Sequence, residues 1–137
     1  MRRITGVIFS DLGQASAFMT LDWVQAALRK SLGFVSFPAT LNVCPKAPED
    51  ERIWGAIQSE SGGILLPPAN GGFCSARLYP IEIQSPANST DDKIRGAVLL
   101  PYVADYPKNK IEIIAPVRIK DALGVRDGDP ITLEFID

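Results

Sequence analysis

Apolar residues in this chain arrive in short alternating runs broken by proline or glycine, and only one stretch carries a helical period. Strands need a side-chain period of two and amphipathic helices one of 3.6, so this pattern restricts the fold directly. Residues 4–9 set Val7 and Phe9 against Gly6 and Ile8. Residues 39–43 set Thr40 and Asn42 on one face and Leu41 and Val43 on the other. Residues 53–58, 73–84, 94–100, 110–115 and 131–136 complete the expected strands, with Tyr79, Ile81 and Ile83 sharing a side. The helical stretch carries Leu21, Val24, Leu28 and Leu32 in one stripe, filled by Ala27. Thr20 is positioned to cap it, Asp22 suits its first turn, Arg29 and Lys30 its last, and Gly33 its stop. Residues 116–123 suit a short helix entered by Pro116 and stopped by Gly124, and residues 126–129 a tight turn. Residues 45–52 read as a charged connection, and residues 59–72 as a long loop or irregular hairpin. Six or so short strands with one main helix and one short helix predict a mainly β, compact barrel rather than a parallel α/β sheet.

The 137 residues fit one domain, long enough to bury a core without disulfide staples. The chain lacks histidine, which excludes imidazole bases, Ser-His and Cys-His nucleophile pairs and His-bearing zinc sites. Cys44 and Cys74 are too few for a Cys₄ metal site and read as reduced thiols. Fourteen cationic residues against sixteen acidic ones leave a net charge of -2, which argues against a nucleic-acid partner. No stretch approaches the roughly 18 apolar residues that crossing a membrane requires. Arg2 and Arg3 run straight into strand-like sequence without an apolar signal core, so the cytoplasm is the expected compartment.

Three patterns carry candidate chemistry. Thr40 and Asn42, two apart on a strand, project neutral oxygen donors from one face. Such donors suit Mg²⁺ whose other positions are filled by water and phosphate oxygens, and equally suit a solvated strand end. The stretch Ser10-Asp11-Leu12-Gly13-Gln14-Ala15-Ser16 follows a strand, where backbone N–H groups can cradle phosphate. Its single glycine and its Asp11 suit an ordinary polar loop as well. Glu112 stands alone among Ile111, Ile113 and Ile114, and a carboxylate there must be paired, hydrogen-bonded or facing a cavity. It is the chain's best general base for a hydroxyl group, with an edge-exposed structural role as the competing reading. Arg118 and Lys120 can meet phosphate or a base carbonyl, or simply form a solvated face.

In order, these segments resemble the archaeal-type CTP-dependent riboflavin kinase family over nearly the whole chain. The resemblance is carried by Gly-Val-Ile-Phe-Ser-Asp-Leu-Gly at residues 6–13, Ser-Leu-Gly-Phe at 31–34 and Pro-Ala-Thr-Leu-Asn-Val at 38–43. It continues with Gly-Ala-Val-Leu-Leu-Pro at 96–101, Ile-Glu-Ile-Ile-Ala-Pro at 111–116 and Leu-Gly-Val-Arg-Asp-Gly-Asp at 123–129. It implies a six-stranded cradle-loop barrel without a Walker-type loop, moving the terminal phosphate of CTP to the ribityl 5′-hydroxyl of riboflavin to give FMN and CDP. It also implies that Thr40 and Asn42 bind Mg²⁺, and that Glu112 and the position of Ala104 meet the flavin. Val117, Arg118, Ile119 and Lys120 line the cytidine site on this reading, and Ser10, Asp11, Leu12, Gly13, Gln14, Ala15 and Ser16 approach the phosphates.

The chain departs from the family where the nucleotide loop reads close to Gly-Leu-Gly-Glu-Gly-Arg, having lost two glycines and the arginine. Ala104 stands where the family has a flavin-contacting threonine, and Ala39 where it has a glycine. These changes support an alternative, a family member that binds flavin or a cytidine nucleotide without efficient transfer. A barrel of the swapped-hairpin, DNA-binding kind is a third reading, from the residue 123–129 turn, and the acidic balance argues against it.

Overall fold

The structure, a computed structural model, describes residues 2–10, 19–60, 62–66, 75–86, 93–102 and 106–136. Its elements are β1 (Arg3–Phe9), α1 (Asp22–Leu32), β2 (Leu41–Pro45), α2 (Pro48–Ser59), β3 (Ile64–Leu66), β4 (Ala76–Gln84), β5 (Ile94–Pro101), β6 (Ile111–Ile114), α3 (Ile119–Leu123) and β7 (Pro130–Phe135). All strand pairings are antiparallel, in the order β3-β4-β5-β6-β2-β1-β7, and a further β4–β7 pairing closes six strands into the expected barrel. The long β4 serves two neighbours along one edge: Ala76 to Leu78 hold β3, and Ile81 to Gln84 hold β7.

Period-two alternation divides the apolar residues between two faces. Ile4 and Ile8, Leu41 and Val43, Ile81 and Ile83, Ile111 and Ile113, and Ile131 and Leu133 fill the barrel. On the outer face Leu78, Ala97, Leu99 and Ile114 pack under Val24 and Leu28 of α1, the stripe read from the helical period. The residue at the helix N-cap is Leu21, whose side chain cannot accept a backbone N–H, so the cap expected at Thr20 lies one residue too early. Gly33 ends α1 with φ 82°, a backbone conformation few other residues reach cheaply, and Gly124 ends α3 likewise.

One element departs from the sequence reading. Residues 48–59 form a full helix, where the sequence suggests a connection followed by a strand at 53–58. Pro48 sits in its first turn, Glu49, Asp50 and Glu51 face its positive end, and the Asp50 carboxylate accepts the Ala47 N–H at 3.0 Å. Trp54 and Ile57, three apart, are buried in the same cluster as the barrel interior, so α2 plugs one mouth. Ile119 and Leu123 of α3 join that cluster at the other. The other Asp50 oxygen accepts the Thr5 N–H at 2.9 Å, where β1 runs past the last residue of β2. A three-residue strand, β3, lies within the segment read as loop or hairpin.

Asp50 therefore satisfies two backbone donors that otherwise lack partners, one in the helix cap and one on a strand edge. Asp50→Ala should lower unfolding stability by about 2 kcal/mol, from a lost cap and an exposed donor. Urea denaturation checks this, and a loss indistinguishable from that of Glu51→Ala would contradict it.

Candidate functional site

Closure of the barrel sets four residues in one cross-strand row: Phe9 opposite Asn42, Asn42 opposite Glu112, and Glu112 opposite Leu99. Asn42 and Glu112 alternate with residues that fill the barrel, and Leu99 belongs to the outer cluster, so the row lies on the outer face beside α1. Facing residues on paired antiparallel strands have Cβ atoms about 5 Å apart. The amide and the carboxylate read separately from the sequence are thus nearest neighbours. Ser10 follows Phe9 directly, so the polar loop starts at the same row. Residues 11–16 of that loop, and Ala104, lie outside the described residues.

Glu112 is buried, 7% exposed, and its Oε1 lies 3.4 Å from the Lys110 ammonium. Lys110 directly precedes β6, two residues before Glu112, and at this distance each charge compensates the other where water is scarce. Asn42 is different. Its Oδ1 is buried and accepts no hydrogen bond. A buried amide oxygen without a donor is costly, and a hard cation would satisfy it. Among the described residues no group of three histidine, cysteine or acidic side chains could hold a metal.

Thr40 stands at the edge of this row and also lines a pocket of about 150 Å³. Ile113, Ala115, Val117, Arg118, Ile119 and Lys120 form other walls, so the four residues read as a nucleotide wall meet Thr40 in one cavity. The segment leading into β2 is held there by three bonds: Ser36 N–H to Gln25 Oε1 at 3.0 Å, and Phe37 N–H and the Ser36 hydroxyl to the Ala115 carbonyl at 2.8 Å and 3.4 Å. Both cations of the pocket carry acidic partners, Arg118 with Asp121 at 2.7 Å and Lys120 with Asp127 at 2.9 Å. The carboxyl of Asp127 is held below the usual carboxylate range, first by the Ser10 hydroxyl and then by Lys120.

A larger pocket of about 820 Å³ opens beside α2, with Gln58, Arg77, Leu100, Tyr102, Tyr106 and Lys108 among its walls. It begins at the residue after Leu99, and Tyr102 and Tyr106 bracket the position of Ala104. Sequence reasoning missed this pocket, the Lys110 partner and Asp127. Of these only Lys110 left a local signal, its i−2 spacing from Glu112. The free thiol Cys44 belongs to neither pocket, and Cys74 lies outside the described residues. Among the described residues no helix is long and apolar enough to cross a membrane.

Residues 8–135 match the family model CTP-dep_RFKase, described as Domain of unknown function DUF120. The chain is 32% identical to a riboflavin kinase of Pyrobaculum islandicum and 31% identical to one of Archaeoglobus fulgidus, over 97% and 98% of its length. It spans 60% and 54% of those two relatives. A riboflavin kinase of Aeropyrum pernix is 30% identical over 96% of this chain and 94% of its own length.

Breaking the buried pair from one side should be costly, and replacing both partners much less so. Lys110→Met is expected to lower stability by about 3 kcal/mol, and Lys110→Met with Glu112→Leu to recover most of that loss. A double-mutant cycle in denaturant reads the coupling, and additive losses would show that the two charges do not interact.

Proposed function

We propose that this chain, which belongs to the CTP-dependent riboflavin kinase family, transfers the terminal phosphoryl group of CTP to the ribityl 5′-hydroxyl of riboflavin. The observation that carries this reading is the row itself: an amide oxygen without a donor, directly across the sheet from a buried carboxylate. In the transfer, the 5′-oxygen forms a bond to the γ-phosphorus while the bond from that phosphorus to its bridging oxygen breaks, releasing CDP. Glu112 accepts the hydroxyl proton and passes it to solvent, leaving FMN. General-base assistance of this kind contributes about 10²- to 10⁴-fold.

Mg²⁺ would be held by the Thr40 hydroxyl and Asn42 Oδ1, with phosphate oxygens and water completing its shell. Held by those two oxygens, the ion would supply charge neutralisation to the phosphates. Val117 and Ile119 offer the cytosine an apolar wall, and Arg118 and Lys120 offer the phosphates cations. The loop has Ser16 where the family carries arginine, so those two cations would bear more of the charge. The larger pocket suits the isoalloxazine ring, since Tyr102 and Tyr106 among its walls provide flat aromatic surfaces. The reading is a small-molecule transferase acting on riboflavin and CTP in the cytoplasm.

Incubation with riboflavin, CTP and Mg²⁺ should yield FMN and CDP in equal amounts by liquid chromatography. Glu112→Gln should lower kcat by about 10²-fold or more, and Asn42→Ala should raise the Mg²⁺ needed for half-maximal rate. Absence of FMN with CTP, ATP, GTP and UTP alike would sink the proposal. In a second measurement, CDP with Mg²⁺ at 100 times its Kd should add about 2.7 kcal/mol to native stability, seen as a raised Tm. A melt unmoved by CDP, CTP, riboflavin and FMN would remove the binding reading too.

A further inference from the structure

The turn before β7 does more than reverse the chain. Its backbone is stitched to the end of β1, with the Ile8 N–H donating to the Asp129 carbonyl at 3.0 Å and the Gly128 N–H to the Ile8 carbonyl at 2.8 Å. The turn is closed on itself as well: Asp129 Oδ2 accepts the Arg126 N–H at 3.0 Å, and the Asp129 N–H donates to the Arg126 carbonyl at 3.0 Å. Asp127 projects from this fixed frame and divides its carboxylate between two elements. One oxygen accepts the Ser10 hydroxyl, at the root of the residue 11–18 segment, and the other meets Lys120 on α3 at 2.9 Å. Lys120 in turn lines the pocket that holds Thr40 and Arg118.

We infer that Asp127 is a positioning residue of the donor site, holding the Ser10 hydroxyl and the Lys120 ammonium at a fixed separation so that the ammonium faces the phosphates. The inference rests on the reading of that pocket as the nucleotide site. Neither contact is deeply buried: the Asp127 side chain is about half exposed and that of Lys120 one-quarter exposed. Exposed ion pairs contribute little to stability. The observed arrangement is instead one of orientation, since a single carboxylate ties two elements from distant parts of the chain to one rigid turn. A cation displaced by about 1 Å loses much of its value in transfer chemistry. Asp127→Ala frees both partners, whereas Asp127→Asn keeps an acceptor for Ser10 and removes only the charge facing Lys120.

Steady-state kinetics with CTP varied at saturating riboflavin, and riboflavin varied at saturating CTP, test the assignment beside a thermal melt. Asp127→Asn should raise the KM for CTP about tenfold, leave the KM for riboflavin unchanged and barely move the Tm. Asp127→Ala should raise the CTP KM further. In a Lys120→Met background, Asp127→Asn should add little, because its partner is already gone. Glu134→Gln removes a comparable surface pair, Arg3 with Glu134 at 2.7 Å, and should change neither KM. A CTP KM that is unchanged or lowered in Asp127→Asn, or a fall in Tm large enough to account for the loss, overturns the positioning role while leaving the kinase reading intact. A wild-type protein with no saturable response to CTP and no binding of CDP overturns both.

Discussion

The pairing of β4 with β7, from Ile81 opposite Phe135 to Gln84 opposite Thr132, joins the two ends of the strand order and turns an open sheet into a barrel. Closure removes two edges that would otherwise expose unpaired backbone groups, and it fixes which face each strand turns inward. Once Leu41 and Val43 point inward beside Ile111 and Ile113, Asn42 and Glu112 have no choice but to point outward together. The same register brings Phe9 and the start of the polar loop against Asn42. A one-residue slip in β2 or β6 would carry Asn42 or Glu112 into the apolar interior. The site is thus a by-product of the interior: the apolar residues that fill the barrel determine where the polar ones stand.

Within that frame the proposed donor set would be economical in charge. With no histidine in the chain, neither imidazole ligand nor imidazole base is available, and on the proposed reading Thr40 and Asn42 would contribute oxygens without adding anions. A triphosphate already carries more negative charge than a divalent ion cancels, so neutral ligands suit a cation that arrives with its nucleotide. On that reading a single carboxylate would remain to take a proton. Lys110 offsets its burial, and the carboxylate needs no second acid nearby to define its role.

The elements whose signal is local were legible. The stripe of Val24 and Leu28, the alternation of Tyr79, Ile81 and Ile83, and the turns at Gly33 and Gly124 all follow from spacing within a dozen residues. The helix Pro48–Ser59 misled because residues 53–58 place apolar side chains at both strand-like and helical intervals. The deciding signals lay upstream, in Pro48 and the acidic first turn. Asn42 and Glu112 could each be picked out as a chemical type, but their adjacency depends on pairing between segments 70 residues apart. Asp127 was visible only as a turn residue, since both its partners, Ser10 and Lys120, are brought to it by the fold.

On the proposed reading, the cations of the smaller pocket would let a nearly neutral chain receive a highly charged ligand. Arg118 rests against Asp121 and Lys120 against Asp127, and in each pair at least one partner is about half exposed or more. Such pairs are weak because solvent screens them and long side chains lose freedom in forming them. A phosphate group presents more charge than one carboxylate and accepts several donors at once, so exchanging Asp121 for phosphate at Arg118 costs the protein little. What the acids retain is direction: before any ligand arrives, the guanidinium and the ammonium are oriented and not free to roam. Stronger, buried pairs would orient them equally well, but the pairing energy would then oppose the ligand. Weak pairs avoid that conflict, and for Lys120 the acid stands on a rigid frame, supplied by the same β1–turn–β7 stitching that helps complete the barrel.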